Sequence, residues 1–152
     1  MNSIQGWLDA YGKSHQNPIN KKIHWVCVPL IMLSLLGLLW SIKLSFIIDS
    51  EYLNATTLLI SLVSVYYFRL SVPMGIGMLF ISILMLFLIF YINHSNVSLF
   101  IYLVIFVLAW IGQFIGHKIE GEKPSFFEDL QFLLIGPLWL LAQLYKSLNI
   151  NY

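Results

Sequence analysis

The chain has 152 residues, of which 59% are hydrophobic, 16% aromatic and only 10% charged. Soluble domains carry roughly 25% charge, so a soluble enzyme is excluded, and a mean hydropathy of +0.83 excludes intrinsic disorder. A net charge of +1 without a basic block leaves nothing for nucleic acid, and the single cysteine, Cys27, excludes an intrachain disulfide framework or a thiolate metal cluster. What remains is an integral membrane protein, with residues 1–152 as one domain.

Residues 1–24 are polar and lack the charged start and short apolar core of a cleaved signal peptide. A bilayer core of about 30 Å takes roughly 20 apolar residues in a helix. The first such run is 25–42, closed by Lys43, and the second is 52–68, closed by Arg69. From Leu70 to His117 there is no Asp, Glu, Lys or Arg. The polar cluster Asn93-His94-Ser95-Asn96 divides that stretch into spans at about 72–92 and 98–116. A charged stretch, 118–129, follows. The last apolar run, 130–145, is short for a crossing and carries Gly136-Pro137 at its centre. It fits a fifth short span, a broken helix or a re-entrant element. The predicted fold is therefore all-α: a membrane helical bundle of four transmembrane helices plus a C-terminal apolar segment.

Orientation follows from the cationic residues of the loops. Four spans place Lys13, Lys21, Lys22, Arg69, Lys118, Lys123 and Lys146 on one side and Lys43 alone on the other. A fifth span would move Lys146 across without changing the orientation, which puts the N-terminus in the cytoplasm.

The same topology sorts the four histidines. His15 and His24 precede the first span and His117 ends the fourth, so all three lie at one interface, while His94 lies in the opposite loop. Three imidazoles at one depth form a candidate metal site, and neutral imidazole suits zinc, iron, copper or nickel. Gln113, His117 and Glu120 share one face of a continuing helix, with Trp110 one turn deeper. His15 and His24 are nine residues apart, on opposite sides of a straight helix, and converge only across an interruption. Asn17-Pro18 supplies it, reading as an N-cap and the first helical position of a new helix on which Asn20 and His24 are one turn apart. Plainer readings stay open on the residues alone. An interfacial histidine also serves as a headgroup contact, Trp25, Tyr66, Tyr67 and Trp139 read as interface belt or packing, and Glu120 can pair with Lys123 in a solvated loop.

Two segments carry a resemblance. One is His15-Gln-Asn17-Pro-Ile-Asn20-Lys-Lys-Ile-His24, with Tyr11 ahead and Pro29 behind. The other is Trp110-Ile-Gly-Gln113-Phe114-Ile-Gly116-His117-Lys-Ile-Glu120, followed by Pro124 and Gly136-Pro137. Together they resemble the family of the fungal endoplasmic-reticulum 2-hydroxy fatty acid dioxygenase, which has many small bacterial members. The resemblance implies a multi-span helical protein, here of a bacterial inner membrane, with Fe(II) as cofactor and a 2-hydroxy fatty acid and O2 as substrates. The implied reaction is α-oxidation to an acid one carbon shorter. It carries His15, His24 and His117 over as catalytic and metal-binding residues. It offers Glu120 as an acidic ligand, three positions after His117 where the eukaryotic members have a spacing of four. Asn17, Asn20 and Gln113 are then expected to orient the imidazoles through hydrogen bonds, and Tyr11 to contact substrate or support the site.

Two rival classes remain at this point. One is a non-enzymatic membrane protein whose interfacial His/Asn/Gln cluster is structural. The other is a different lipid-modifying membrane metalloenzyme, although the close HxxxH and HxxHH clusters of hydroxylases and desaturases are absent. A transporter fits less well, because no ionisable residue falls in mid-membrane.

Overall fold

The computed structural model describes residues 3–44, 52–94, 99–121 and 132–152, and among them the regular elements are helices. They are α1 (Ile4–Lys13), α2 (Pro18–Trp40), α3 (Ala55–Leu70), α4 (Val72–His94), α5 (Leu99–Glu120) and α6 (Ile135–Ser147). Local chemistry sets the starts. Ser3 caps α1 by accepting from the Gly6 N–H, and Asn17 caps α2 by accepting from the Ile19 N–H, with Pro18 at the first position. A reciprocal capping box of Asn54 and Thr57 opens α3. The proline interruption thus separates α1 from α2, as the Asn17-Pro18 pair implies.

α2, α4 and α5 are long and apolar enough to cross a membrane. α3 has 16 residues, a rise of roughly 24 Å against a hydrocarbon core of about 30 Å. Three of the four expected spans are thus long apolar helices, and over the second expected span the structure has the shorter apolar helix α3. The outward faces of α4 and α5 are apolar and open, with Phe80 62%, Phe87 69% and Leu108 61% exposed, the surface that lipid covers.

Close approach holds α2 to α5. A Cβ on Gly37 would meet the Tyr102 ring at 2.4 Å, one on Gly112 the Cys27 sulfur at 2.6 Å, and one on Gly116 the Asn20 Oδ1 at 2.4 Å. Small residues at a seam allow such backbone contact between membrane helices, and Cys27 is used here as a packing residue. The Thr56 hydroxyl donates to the Leu36 carbonyl at 2.6 Å and ties α3 to α2.

A fifth span over 130–145, whose first two residues lie outside the described ones, is not confirmed: the helix there is α6. Its 13 residues rise roughly 20 Å, too short for a crossing. Both of its ends are tied to the α3–α4 corner: the Tyr67 hydroxyl donates to the Leu134 carbonyl at 2.8 Å, and the Tyr145 hydroxyl to the Pro73 carbonyl at 3.0 Å. Every residue from Ile135 to Ala142 is buried. A helix that is apolar all round belongs inside a protein, and α6 forms the core at this end with Leu8 and Tyr11 of α1, Val28 of α2, Tyr67 of α3 and Met74 and Met78 of α4. The α3–α4 corner, the start of α2, the end of α5 and all of α1 and α6 therefore share one end of the molecule. Lys13, Lys21, Lys22, Arg69, Lys118 and Lys146 belong to that end and Lys43 to the other, while Lys123 lies outside the described residues.

Candidate metal centre

The three histidines expected at one interface converge there. The ligand nitrogens of His15, His24 and His117 all lie within 4.8 Å of one another. His15 follows α1, His24 is in the second turn of α2 and His117 is in the last turn of α5, so three separate elements supply one cluster. His15 and His24 are buried at 2% and 1% exposure, and His117 is half-buried. Its ring centroid lies 5.3 Å from each of the other two.

The hydrogen bonds of the first two rings assign their lone pairs. The His15 Nδ1 lies 2.6 Å from the Tyr11 carbonyl and the His24 Nδ1 lies 3.0 Å from the Asn20 carbonyl. A carbonyl only accepts, so each Nδ1 carries the proton and each neutral ring presents a bare Nε2. The two Nε2 atoms face one another at 2.9 Å. Two lone pairs at that distance repel unless a cation lies between them. A proton is a poor candidate, because burial, followed by the neighbouring His117 and Lys21, outweighs the Tyr11 and Glu120 contributions and pushes His15 down to about 4. A metal ion fits the donor set: His15 and His24 would hold it through these two Nε2 atoms, since neutral imidazole nitrogens are ordinary ligands of divalent transition metals. Half-buried, His117 is free to close on the same ion. The donor set suits a divalent transition metal.

Aromatic packing fixes the buried pair. Tyr11 stacks on His15 with centroids 4.1 Å apart and planes within 8°, and Trp139 lies 5.5 Å from both rings. The Ser14 hydroxyl, 3.2 Å from the His15 Nδ1, adds a second polar neighbour. Trp139 and Ser14 escape sequence reasoning. The tryptophan reads as belt or packing, and nothing in the order of residues brings α6 against α1.

Glu120 is not among the side chains gathered at the cluster. Its carboxylate accepts from the Gln16 N–H at 2.6 Å, from the Asn17 N–H at 3.0 Å to each oxygen, and from the Asn20 Nδ2 at 2.9 Å. It thereby caps the start of α2 with an anion and clamps the end of α5, one turn beyond His117, to the segment that carries His15. The expected side-chain bonds from Asn17, Asn20 and Gln113 to the imidazoles are replaced by backbone ones. The Asn17 side chain caps α2, the Asn20 side chain binds Glu120 while its carbonyl holds His24, and the Gln113 Nε2, buried, has no partner among the described residues. His94 ends α4 at the opposite end and packs on Phe90 at 4.6 Å.

Residues 1–148 match the sequence profile of a protein family described as "2-hydroxy-palmitic acid dioxygenase Mpo1-like". The chain belongs to the Mpo1-like family. A relative is the 2-hydroxy-palmitic acid dioxygenase MPO1 of Saccharomyces cerevisiae, 29% identical over 144 residues that cover 92% of this chain and 78% of the yeast protein. No solved structure matches. In this Mpo1-like chain the two segments that carry the sequence resemblance meet at this end: the first supplies His15 and His24 and the second His117, with Asn20 and Glu120 bonded to one another beside them.

Proposed function

We propose that the protein is a membrane dioxygenase of 2-hydroxy fatty acids that uses Fe(II) held by His15, His24 and His117 and shortens its substrate by one carbon. The observation that carries the reading is the pair of inward-facing Nε2 lone pairs at 2.9 Å with a third imidazole beside them, in a chain similar to a protein named 2-hydroxy-palmitic acid dioxygenase. Three neutral nitrogens leave positions free on an iron centre, which is what non-haem oxygenases need. Bound Fe(II) supplies the point at which the 2-hydroxy acid and O2 meet and exchange electrons.

The chain's own residues do the rest. The Tyr11 and Asn20 carbonyls hold the two imidazole tautomers, Tyr11 and Trp139 wall the His15 side against water, and Glu120 keeps α5 in register with the start of α2. The cluster lies where the long helices end, so a carboxylate head can stay at the interface while its acyl chain lies among apolar helices. The overall reaction balances without a reductant. The C1–C2 bond breaks, C2 becomes the new carboxyl carbon, C1 leaves as CO2, and the electrons lost by the acid reduce O2 with release of water. The cationic end, with the N-terminus and the cluster, faces the cytoplasm of a bacterial inner membrane by the positive-inside rule.

The test begins with metal content after anaerobic purification in detergent, followed by O2 uptake and product length with 2-hydroxyhexadecanoic acid. Stoichiometric iron that is lost in His15→Ala, His24→Ala or His117→Ala but kept in His94→Ala is the expected result. Full iron and full turnover in His117→Ala would end this reading. Zinc in place of iron would move the chemistry toward hydrolysis, and no metal after Fe(II) reconstitution would leave the cluster structural.

A further inference from the structure

One polar group at the cluster is left without a task by the proposed chemistry. Gln113 is 6% exposed, and its Nε2 has no acceptor among the described residues. A buried N–H without an acceptor costs about 1–3 kcal/mol. Such a group in a native site asks for a partner beyond the described residues, and a bound ligand is one. A second buried atom without a partner among the described residues, the Asn20 Oδ1, lies against Gly116 one turn along α5; it is an acceptor, and Gln113 supplies the donor of the two.

Its position narrows the partner. Gly112 packs on Cys27 and Gly116 on Asn20, so α5 lies along the stretch of α2 between Asn20 and Cys27 that contains His24, and buried Gln113 stands on the flank of that seam, between Gly116 and His117 around the helix. Gln113 and His117 are one turn apart on the same face of α5. Because α5 runs toward the cluster end, Gln113 lies roughly 6 Å farther into the apolar part of the molecule than His117. A fatty acid whose carboxylate stays at the interface presents C1 first, the substituent on C2 next and the acyl chain beyond. A neutral amide donor displaced inward from the ligand ring is thus placed for the oxygen on C2.

We propose that Gln113 is a specificity-determining residue whose Nε2–H donates to the C2 oxygen of the acid, so that the site selects 2-substituted acids over plain fatty acids. This rests on the proposed function. An acid without the C2 oxygen leaves the buried N–H unpaired, and a site built around a hydrogen bond discriminates strongly against an analogue that lacks the partner.

The experiment is equilibrium binding without turnover: detergent-solubilised protein loaded with Fe(II), O2 excluded, titrated with 2-hydroxyhexadecanoic acid and with hexadecanoic acid. The wild type is expected to prefer the hydroxy acid. In Gln113→Met the ratio of the two dissociation constants is expected to fall about ten- to hundredfold, with iron content unchanged and hexadecanoic acid bound as well or better. Gln113→Asn, which keeps the amide but withdraws it by one methylene, is expected to fold and lose the preference in the same way, and it decides the matter if the Met variant does not fold. An unchanged ratio in an iron-loaded variant, or loss of iron with the amide, overturns this assignment while the proposed function stands. A wild type that holds iron but binds neither acid overturns both.

Discussion

Glu120→Gln decides between an acidic ligand and a clamp. The carboxylate accepts from two backbone N–H groups and one side-chain amide that all belong to the 16–20 segment. Hydrogen bonds to a charged acceptor contribute roughly 1.5–3 kcal/mol and neutral ones roughly 0.5–1.5. Gln keeps an acceptor oxygen for the Gln16 and Asn17 N–H groups, and since Glu120 is half-exposed the lower figures apply. Three donors at the lower figure make Glu120→Ala cost at most about 4–5 kcal/mol, and Glu120→Gln, which keeps two neutral bonds, about 1 kcal/mol less. Thermal unfolding in detergent measures both, and iron titration runs alongside. The clamp predicts a graded pattern: Gln retains nearly all iron, while Ala loosens His117 against His15 and weakens iron about 10–100-fold. If Glu120→Gln lost iron as completely as His117→Ala at unchanged thermal stability, the carboxylate would be a ligand and the clamp would be refuted.

Two further outcomes follow from other parts of the molecule. Gly37→Ala drives a methyl into the Tyr102 ring, 2.4 Å from the new Cβ, at the end of α2 remote from the cluster; it should lower stability by about 1–3 kcal/mol, read as a lower unfolding midpoint with iron stoichiometry intact. The His15 pKa, pushed by burial from 6.5 to about 4, makes the unfolded chain take up the proton first. The metal-free protein should thus have the full His15 contribution above pH 6.5 and lose it as pH falls toward 4. Unfolding midpoints between pH 7.5 and 4.5 check this, and His15→Ala should flatten the slope.

The start of α2 is legible because the residues that mark it, Asn17 and Pro18, act within a few positions of themselves. The sorting of His94 away from the other three histidines is legible for a related reason, since apolar length fixes which end of a helix a residue occupies. Span number was less legible. Hydropathy measures how apolar a run is, not what covers it, and residues 135–142 are buried within the protein. The resemblance offers Glu120 as a ligand, yet its partners are 100 to 104 residues away in sequence, a distance that no periodicity encodes.

Sequence by itself therefore determined the class of molecule, the end at which the chemistry-bearing residues gather and the three imidazoles that gather there. Composition, apolar run length and helix caps are local or additive properties, and those conclusions need nothing more. Only the tertiary structure decided how they meet: the two Nε2 atoms facing one another because backbone carbonyls hold the opposite nitrogens, Trp139 and Tyr11 walling His15, Glu120 turned to the start of α2, and the Gln113 amide left without an acceptor among the described residues. Each of these depends on the distance between segments far apart in the chain, which packing of α1, α2, α5 and α6 sets and residue order does not.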